Sequence, residues 1–485
     1  MEHVRSRKLS TLGKRVGREA LPMLVVGICA IELFSTLRYE LSQDGWLTLL
    51  GGRIVAHGLP HHDTLTAWAQ GANWVDQQWL AQFVFYGAFV LGGVKLTLLL
   101  NAALATVAFA IAVAAARLRG ASASRVAVVA AVCLPIVAFA WPLRAQSLAY
   151  PLFVVLVWLL AEDAANPSRR VFLAFPLLAL WANLHGSVVL AAALVALRGA
   201  TFAFQQLRAG REARAWLPRS AALLVVPGLL IFASPYGFDL AGYYHRLLVN
   251  SSLTTYIIEW QPTAPKPVTA PFFAVAFGAV WLLGRSRRLS GFERLTLLLT
   301  IAAALASVRS IAWFGFAAIV LLPRALEDVW PSPRSTRPPL VVVLAGVGAL
   351  AAAVVLAAVV AVRPLSWLDR DWPPAAGNAV AHAAAADPSL RVVSSLRYAD
   401  WLLFAEPQLA GRLAFDARLE LLTEAQVKQV VKIANAIGES WRITSPGGRL
   451  FVVDRKSEAD LDRVLAGEPG ARTLYLDDRI HVLQG

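Results

Sequence analysis

Cysteine is almost missing from this chain of 485 residues, and the two present, Cys29 and Cys133, both sit inside apolar runs. That excludes a disulfide framework and a thiolate metal centre. Charge is scarce as well, at 16% of residues against about 25% in soluble domains. There is no glycine-rich loop of the kind that cradles a nucleotide phosphate, and no internal repeat. A nucleotide-driven enzyme and a solenoid are thereby disfavoured.

What is abundant is apolar sequence, 58% of the chain. Runs such as "LPMLVVGICAIELFSTL" and "PLVVVLAGVGALAAAVVLAAVVAV" are long enough to cross a hydrocarbon core of roughly 30 Å as helices. The expected crossings are 20–40, 95–117, 123–142, 145–162, 171–184, 187–206, 219–234, 271–284, 294–308, 311–324 and 339–363, eleven in all. The run at 79–93 is too short to span and reads as an interfacial helix leading into the second crossing. From Pro364 onward there are 14 Lys+Arg and 16 Asp+Glu, leaving 31 and 15 before it. The basic excess of the membrane part therefore reflects topology rather than nucleic-acid binding, because it concentrates in short loops. With eleven crossings the basic loops "RLRGASASR", "EDAANPSRR", "RAGREARAWLPR", "RSRRLSGFER" and 324–337 all face the cytoplasm. The N-terminus is then cytoplasmic, and its basic start reads as an uncleaved signal anchor. Loops 41–94 and 235–270 and the C-terminal tail lie outside, in a multi-pass protein of the plasma (inner) membrane.

The fold expected is an all-α polytopic membrane bundle over 1–363, with a soluble extracytoplasmic α/β domain over 364–485. In the tail, 390–396, 411–419, 448–455 and 472–483 read as strands, being β-rich and bounded by turn residues. Residues 373–389, 423–437 and 457–468 read as helices, the last with Ser457 as N-cap.

Given this topology, unusual polar residues from five separate stretches meet one membrane face. Asp44 follows the first crossing, and His57, His61, His62, Asp63, Trp74, Asp76, Gln77 and Gln78 share its loop. Arg144, His185 (with Asn183 and Gly186) and Arg309 sit at outer turns; Tyr236, His245, Glu259 and Trp260 belong to the second outer loop. Ionisable groups at the edge of the hydrocarbon are costly and point to function. Two arginines suit a phosphate, a carboxylate suits proton abstraction from a hydroxyl, and aromatics suit the apolar faces of sugars. Transfer of a sugar from a polyprenyl-phosphate carrier fits all three, and a lipid-linked donor agrees with the absent glycine loop.

Several stretches, "DGWLTLLGGRIVAHGLPHHDTLTAWAQGANWVDQQWL", "LRAQSLAYPLF", "LWANLHGS", "SPYG", "IIEWQP" and "FDAR", carry a resemblance. In this order and sidedness the chain resembles the GT-C class of integral-membrane glycosyltransferases, which includes protein O-mannosyltransferases and lipid A aminoarabinose transferases. It is nearest a poorly characterised bacterial branch. The resemblance covers most of the membrane part and touches the tail weakly. It implies an acidic residue early in the first outer loop, which Asp44 matches, and an outer C-terminal domain. Many relatives carry paired acids there, whereas Asp44 is followed by Gly45 and Trp46; Asp63 is the second candidate carboxylate.

Each candidate also has a plainer reading. Asp44 fits a solvated helix end, and Asp63 fits the cap of a short helix. His57, His61 and His62 with Asp63 suit zinc or manganese, or simply a wet loop, so a divalent metal stays open. His185 fits a packed imidazole at a helix break, and Arg144 and Arg309 fit snorkelling cations. Glu259 and Trp260, like Trp46, Trp68, Trp74 and Trp79, fit an interfacial belt. The "NSS" at 250–252 is read as a chance sequon. The expected acceptor is an extracytoplasmic glycan, lipid or protein. A transporter or lipid-flipping protein is the rival reading, but it calls for polar residues along the midplane, where Glu32 is an exception among Ala, Leu and Val. A non-catalytic scaffold is the third.

Overall fold

The computed structural model describes residues 2–249, 255–331, 339–440, 442 and 448–485; the 250–252 sequon and residues 332–337 of the basic 324–337 stretch lie outside them. Among the described residues six helices are long and apolar enough to cross a membrane: Trp79–Leu118, Ala123–Ala140, Ala145–Ala165, Val188–Arg208, Val308–Val329 and Leu340–Val362. The expected crossings at 20–40, 171–184, 219–234, 271–284 and 294–308 fall on the helices Glu2–Ser35 (α1), Ala174–Trp181, Ala213–Leu230, Ala270–Arg285 and Gly291–Ala306. These lack that combination of length and hydropathy, so a count of eleven belongs to the proposal below.

Helix α2, Gln43–Val55, follows α1 and carries Asp44 in its first turn. Helix α3, Trp79–Leu118, is two helices joined at a kink, where Gly92 has φ −156° and Gly93 φ +64° with ψ −163°. The Gly93 conformation is open only to a residue without Cβ, so "GG" divides the short apolar run from the crossing that follows it. The first half of α3 lies tight against α2. A Cβ on Gly51 would stand 2.0 Å from Gln82 Oε1, and one on Gly52 2.2 Å from the Gln82 carbonyl oxygen. A second "GG" thus sets how closely the outer loop lies on the bundle.

The bundle has two polar ends. Arg119 pairs with Glu162 at 3.4 Å and with Glu293, and Asp163 takes Arg198 at 2.9 Å and Arg219 at 2.5 Å. These ion pairs tie the far ends of the helices whose other ends lead to Arg144, His185 and Arg309.

The tail holds a four-stranded sheet in the order β1-β2-β4-β3. Strand β1 (Arg391–Ser394) runs parallel to β2 (Arg449–Asp454), and β4 (Ile480–Gln484) is antiparallel to both β2 and β3 (Arg472–Leu476). Two sequence expectations are corrected here. Residues 411–419 form no strand: Gly411 at φ +75° precedes them, and Leu413 makes only isolated bridges, to Val392 on one side and Thr66 on the other. The segment therefore stitches the outer loop to the sheet edge. Ser457 lies one residue short of the helix Ala459–Ala466, whose N-cap is Glu458.

A helix not foreseen from the sequence, Leu396–Ala405, presses Trp401 and Leu402 inward and docks the tail on α2. Arg53 donates to the Leu403 and Phe404 carbonyls at 2.8 and 2.7 Å, satisfying the exposed C-terminal carbonyls of that helix. Trp46 packs on Trp372 and Phe404, each with centroids 5.5 Å apart.

Candidate active site

Four turns, not helix interiors, supply the polar groups. Arg144 stands in extended conformation before the 3-10 turn Ala145–Leu148, Glu259 and Trp260 lie in the turn Ile258–Trp260, Arg309 in Val308–Ser310, and His185 between Trp181 and Val188. Turns place backbone at the membrane edge without costing helical hydrogen bonds, which is why the charges collect there.

Arg144 bridges two carboxylates, with Nε 2.8 Å from Asp44 Oδ2 and Nη2 on Glu259 Oε1. Burial works against its charge, but Asp44 and Glu259 outweigh it and hold the guanidinium firmly protonated. The Asp44 side chain stays 31% exposed, so one side of this pair faces open space.

Arg309 is placed differently. Its Nε donates to Gln146 Oε1 at 3.0 Å, its Nη2 meets His185 Nε2 at 3.1 Å, and its guanidinium lies 5.5 Å from the Trp260 ring centroid. Those partners are all neutral, and among the described residues Arg309 makes no ion pair. His185 is 8% exposed; burial, then Arg309 and Arg144, hold its imidazole well below the usual range and therefore uncharged. Its Nδ1 accepts from the Ser187 amide at 3.1 Å and lies 2.8 Å from Ser187 Oγ, so the ring is held from both sides and sets where Arg309 stands.

The remaining first-loop residues form a separate joint. Asp63 is fully buried and receives the Leu65 amide at 3.2 Å, the Thr66 amide at 3.1 Å, the Thr66 hydroxyl at 2.7 Å and Arg418 Nη2 at 2.7 Å. Every lone pair of use is taken, so its carboxylate organises the loop and offers nothing to a substrate. Arg418 also binds Asp416 through Nε at 2.9 Å and Nη2 at 2.6 Å, and its guanidinium lies 4.2 Å from the Trp74 ring centroid. Trp74 is therefore covered by the tail. Tyr236 is buried with its hydroxyl donating to the Pro60 carbonyl at 2.9 Å, and Gln78 is half-buried at the N-cap of α3. Asp76 is buried beside this joint, and burial, partly offset by Arg418, pushes its carboxyl up to about 7. Asp400 is raised well above the usual range by burial and then by Asp416.

His57 turns Nδ1 to the Arg53 carbonyl at 2.8 Å, while His61 and His62 are exposed, His61 edge-on to Tyr236 at 5.7 Å. Among the described residues no three His, Cys, Asp or Glu side chains are grouped to hold a metal ion. His245 is exposed on the helix Asp239–Val249.

The structure thus brings Asp44, Arg144, Glu259, His185 and Arg309 together and sets Asp63, Trp74 and Tyr236 apart. Sequence reasoning passed over Gln146, Ser187 and Arg418. Gln146 had a signal: two residues beyond Arg144 in one turn, it shares that arginine's side of the bundle.

No protein family matches this chain in sequence, and neither does any curated protein. Its shape has counterparts among solved structures. ArnT from Cupriavidus metallidurans in the apo state is 14% identical, with 92% of this chain and 93% of that chain covered, at a TM-score of 0.49. Arabinofuranosyltransferase AftD from Mycobacteria is 14% identical over 94% of this chain and 39% of that longer one, at 0.48. ArnT from C. metallidurans bound to undecaprenyl phosphate is 15% identical, covers 95% of this chain and 97% of that chain, and has a TM-score of 0.51. The last likeness extends over both the helical bundle and the tail, so this chain is similar in fold, from end to end, to a GT-C membrane glycosyltransferase.

Proposed function

We propose that the protein transfers a sugar from a polyprenyl-phosphate carrier to an acceptor outside the cytoplasm, in a single displacement that inverts the anomeric carbon. One observation carries this reading: Arg309, half-buried and making no ion pair among the described residues, stands beside a second arginine already holding two carboxylates. A partly buried cation whose partners are all neutral calls for an anion. The fold shared with ArnT, solved with undecaprenyl phosphate, supports a lipid-linked one.

The reaction then runs on groups already in place. An acceptor hydroxyl bonds to the anomeric carbon as the bond from that carbon to the phosphate oxygen breaks. The hydroxyl proton passes to Asp44, and the departing phosphate keeps the bonding electrons, its growing charge met by Arg309 and then Arg144. Glu259 and Asp44 keep Arg144 oriented until then, and His185 keeps Arg309 oriented. Eleven crossings, a cytoplasmic N-terminus and the tail outside put this site on the extracytoplasmic face. A divalent metal stays open: among the described residues no ligand set is grouped to hold one, and the weak candidates His57, His61 and His62 lie on the exposed loop.

The test is release of labelled sugar from a panel of polyprenyl-phosphate donors in membranes holding wild type or Asp44→Asn. Wild-type turnover with a loss of roughly a hundredfold or more in the variant matches removal of a general base. Equal turnover in both removes Asp44 from the mechanism.

A further inference from the structure

The tail contains a recess that the reaction above leaves unused. A cavity of about 260 Å³ opens at the carboxyl ends of the parallel strands β1 and β2, where Ser395, Arg397, Ser457 and Glu458 line it together with Gln43 of the membrane part. A second recess of about 260 Å³ shares Arg397 and Ser457 and adds Lys456 and Arg479. In open α/β sheets the carboxyl ends of parallel strands are where ligands bind, because the loops there diverge and leave a crevice.

Its chemistry is specific. Arg397 lies over Trp372 and Tyr398, 5.3 and 5.6 Å from their ring centroids, and its nearest carboxylate, Asp454, stands at 3.7 Å. That spacing is an ion pair without a hydrogen bond, and Arg397 lines both recesses. Lys456 is exposed and forms no ion pair among the described residues, whereas Arg479 is held by Asp371 at 2.7 Å. Opposite these cations the buried Glu458 accepts from the Asp454 amide at 3.1 Å; burial pushes its carboxyl up to about 7, with that amide and Ser395 pulling it back. One end of the crevice thus suits an anion, and the other offers hydroxyl, carboxyl and amide groups that exchange hydrogen bonds with ligand hydroxyls. Apolar residues such as Phe451 and Ile433 floor it, as a sugar's C–H face requires.

Gln43 ties the recess to the site. It lines this cavity and immediately precedes Asp44 on α2, so the recess reaches the helix turn that carries the proposed base. We infer that the recess is the acceptor site, binding an anionic sugar unit, phosphorylated or carboxylated, through Arg397 and Lys456 and presenting a neighbouring hydroxyl to Asp44. This rests on the glycosyl-transfer reading, but its binding step can be measured apart from turnover.

The experiment is calorimetric titration of the full-length protein in detergent with glucose 1-phosphate, glucuronate and uncharged glucose. Both anionic probes are expected to bind the wild type, and glucose far more weakly. Arg397→Gln and Lys456→Gln are each expected to weaken the anions about tenfold or more, the loss of one charge-assisted hydrogen bond. Both side chains are substantially exposed, so folding is retained, which an unchanged melting midpoint verifies. The relative affinities of phosphate and carboxylate probes tell which anion the site prefers. Absence of anion binding to the wild type, or undiminished binding in both variants, overturns the inference while leaving the Asp44 reaction standing. Intact binding in a protein that turns over no donor overturns the reaction and keeps the recess as an anionic-sugar site.

Discussion

Replacing Arg418 with methionine removes the cation from the joint between outer loop and tail while keeping most of its apolar bulk. Arg418, Asp63 and Asp416 have side chains 3%, 0% and 3% exposed, so the substitution strands two carboxylates out of water. Breaking a buried pair from one side costs about 3–5 kcal/mol, and the lost contact with Trp74 adds about 1 kcal/mol. Asp63 keeps three donors from Leu65 and Thr66, and Asp416 keeps the Arg418 amide at 2.9 Å; the expected loss is therefore near the lower end, about 3 kcal/mol. Trypsin cleavage within the tail reads it, since cleavage tracks the opened population and 3 kcal/mol raises that population roughly a hundredfold. The stranded carboxylates are the cause of the loss, so it is partly rescued by adding Asp63→Asn and Asp416→Asn. A cleavage rate within about threefold of wild type, or a defect that the two asparagines leave unchanged, refutes the assignment of this joint.

Asp76 titrates near 7 in the folded protein, above its unfolded value, so the folded state holds the extra proton and stability falls as pH rises from about 4 through about 7. Asp76→Asn should flatten that fall by about 1–4 kcal/mol, seen as melting midpoints at pH 5 and pH 8 that lie closer together than in wild type. Gly93→Ala meets no neighbouring atom but forces a Cβ into φ +64°, and a loss of about 1–3 kcal/mol is expected from backbone strain alone; an unchanged midpoint would show that the kink relaxes. Arg309→Gln should raise KM for the lipid-linked donor by about tenfold or more, whereas Arg144→Gln should act mainly on kcat, a split that steady-state kinetics on the same donor resolves.

The gathering of the polar residues at one end of the bundle was legible because hydropathy leaves few places for Arg144, His185, Glu259 and Arg309, all of them turns, with Asp44 in the first turn of α2. The helix break after 91 was legible too, since the short apolar run ends in two glycines. What could not be read was which carboxylate does which work. Asp44 and Asp63 look alike in sequence, each a lone acid in a polar loop. They separate only through partners 100 and 355 residues away, Arg144 and Arg418. "FDAR" was visible as a motif, but its use, neutralising Asp63 across the loop–tail boundary, depends on a docking that local periodicity does not encode. For the same reason 411–419 reads as a strand: its β-rich residues are extended, yet the pairing partners they meet allow a single bridge on each side.

The charge count of the proposed reaction explains why one arginine is paired and the other is not. At rest Asp44 and Glu259 both pair with Arg144, Arg309 makes no ion pair among the described residues, and His185 is neutral. A lipid-linked sugar phosphate brings one negative charge, as a diester, and Arg309 is the cation with no carboxylate to give up. Transfer turns that diester into a monoester with close to a second negative charge, while Asp44 gains the acceptor's proton and with it loses its negative charge. The total in the site is unchanged, but the negative charge has moved from Asp44 to the phosphate. Arg144, released from Asp44 at that moment and still steered by Glu259, is the group positioned to follow it. Binding therefore draws on Arg309 from the start and on Arg144 only as the bond breaks, and an interaction made only as the bond breaks is the kind that raises kcat.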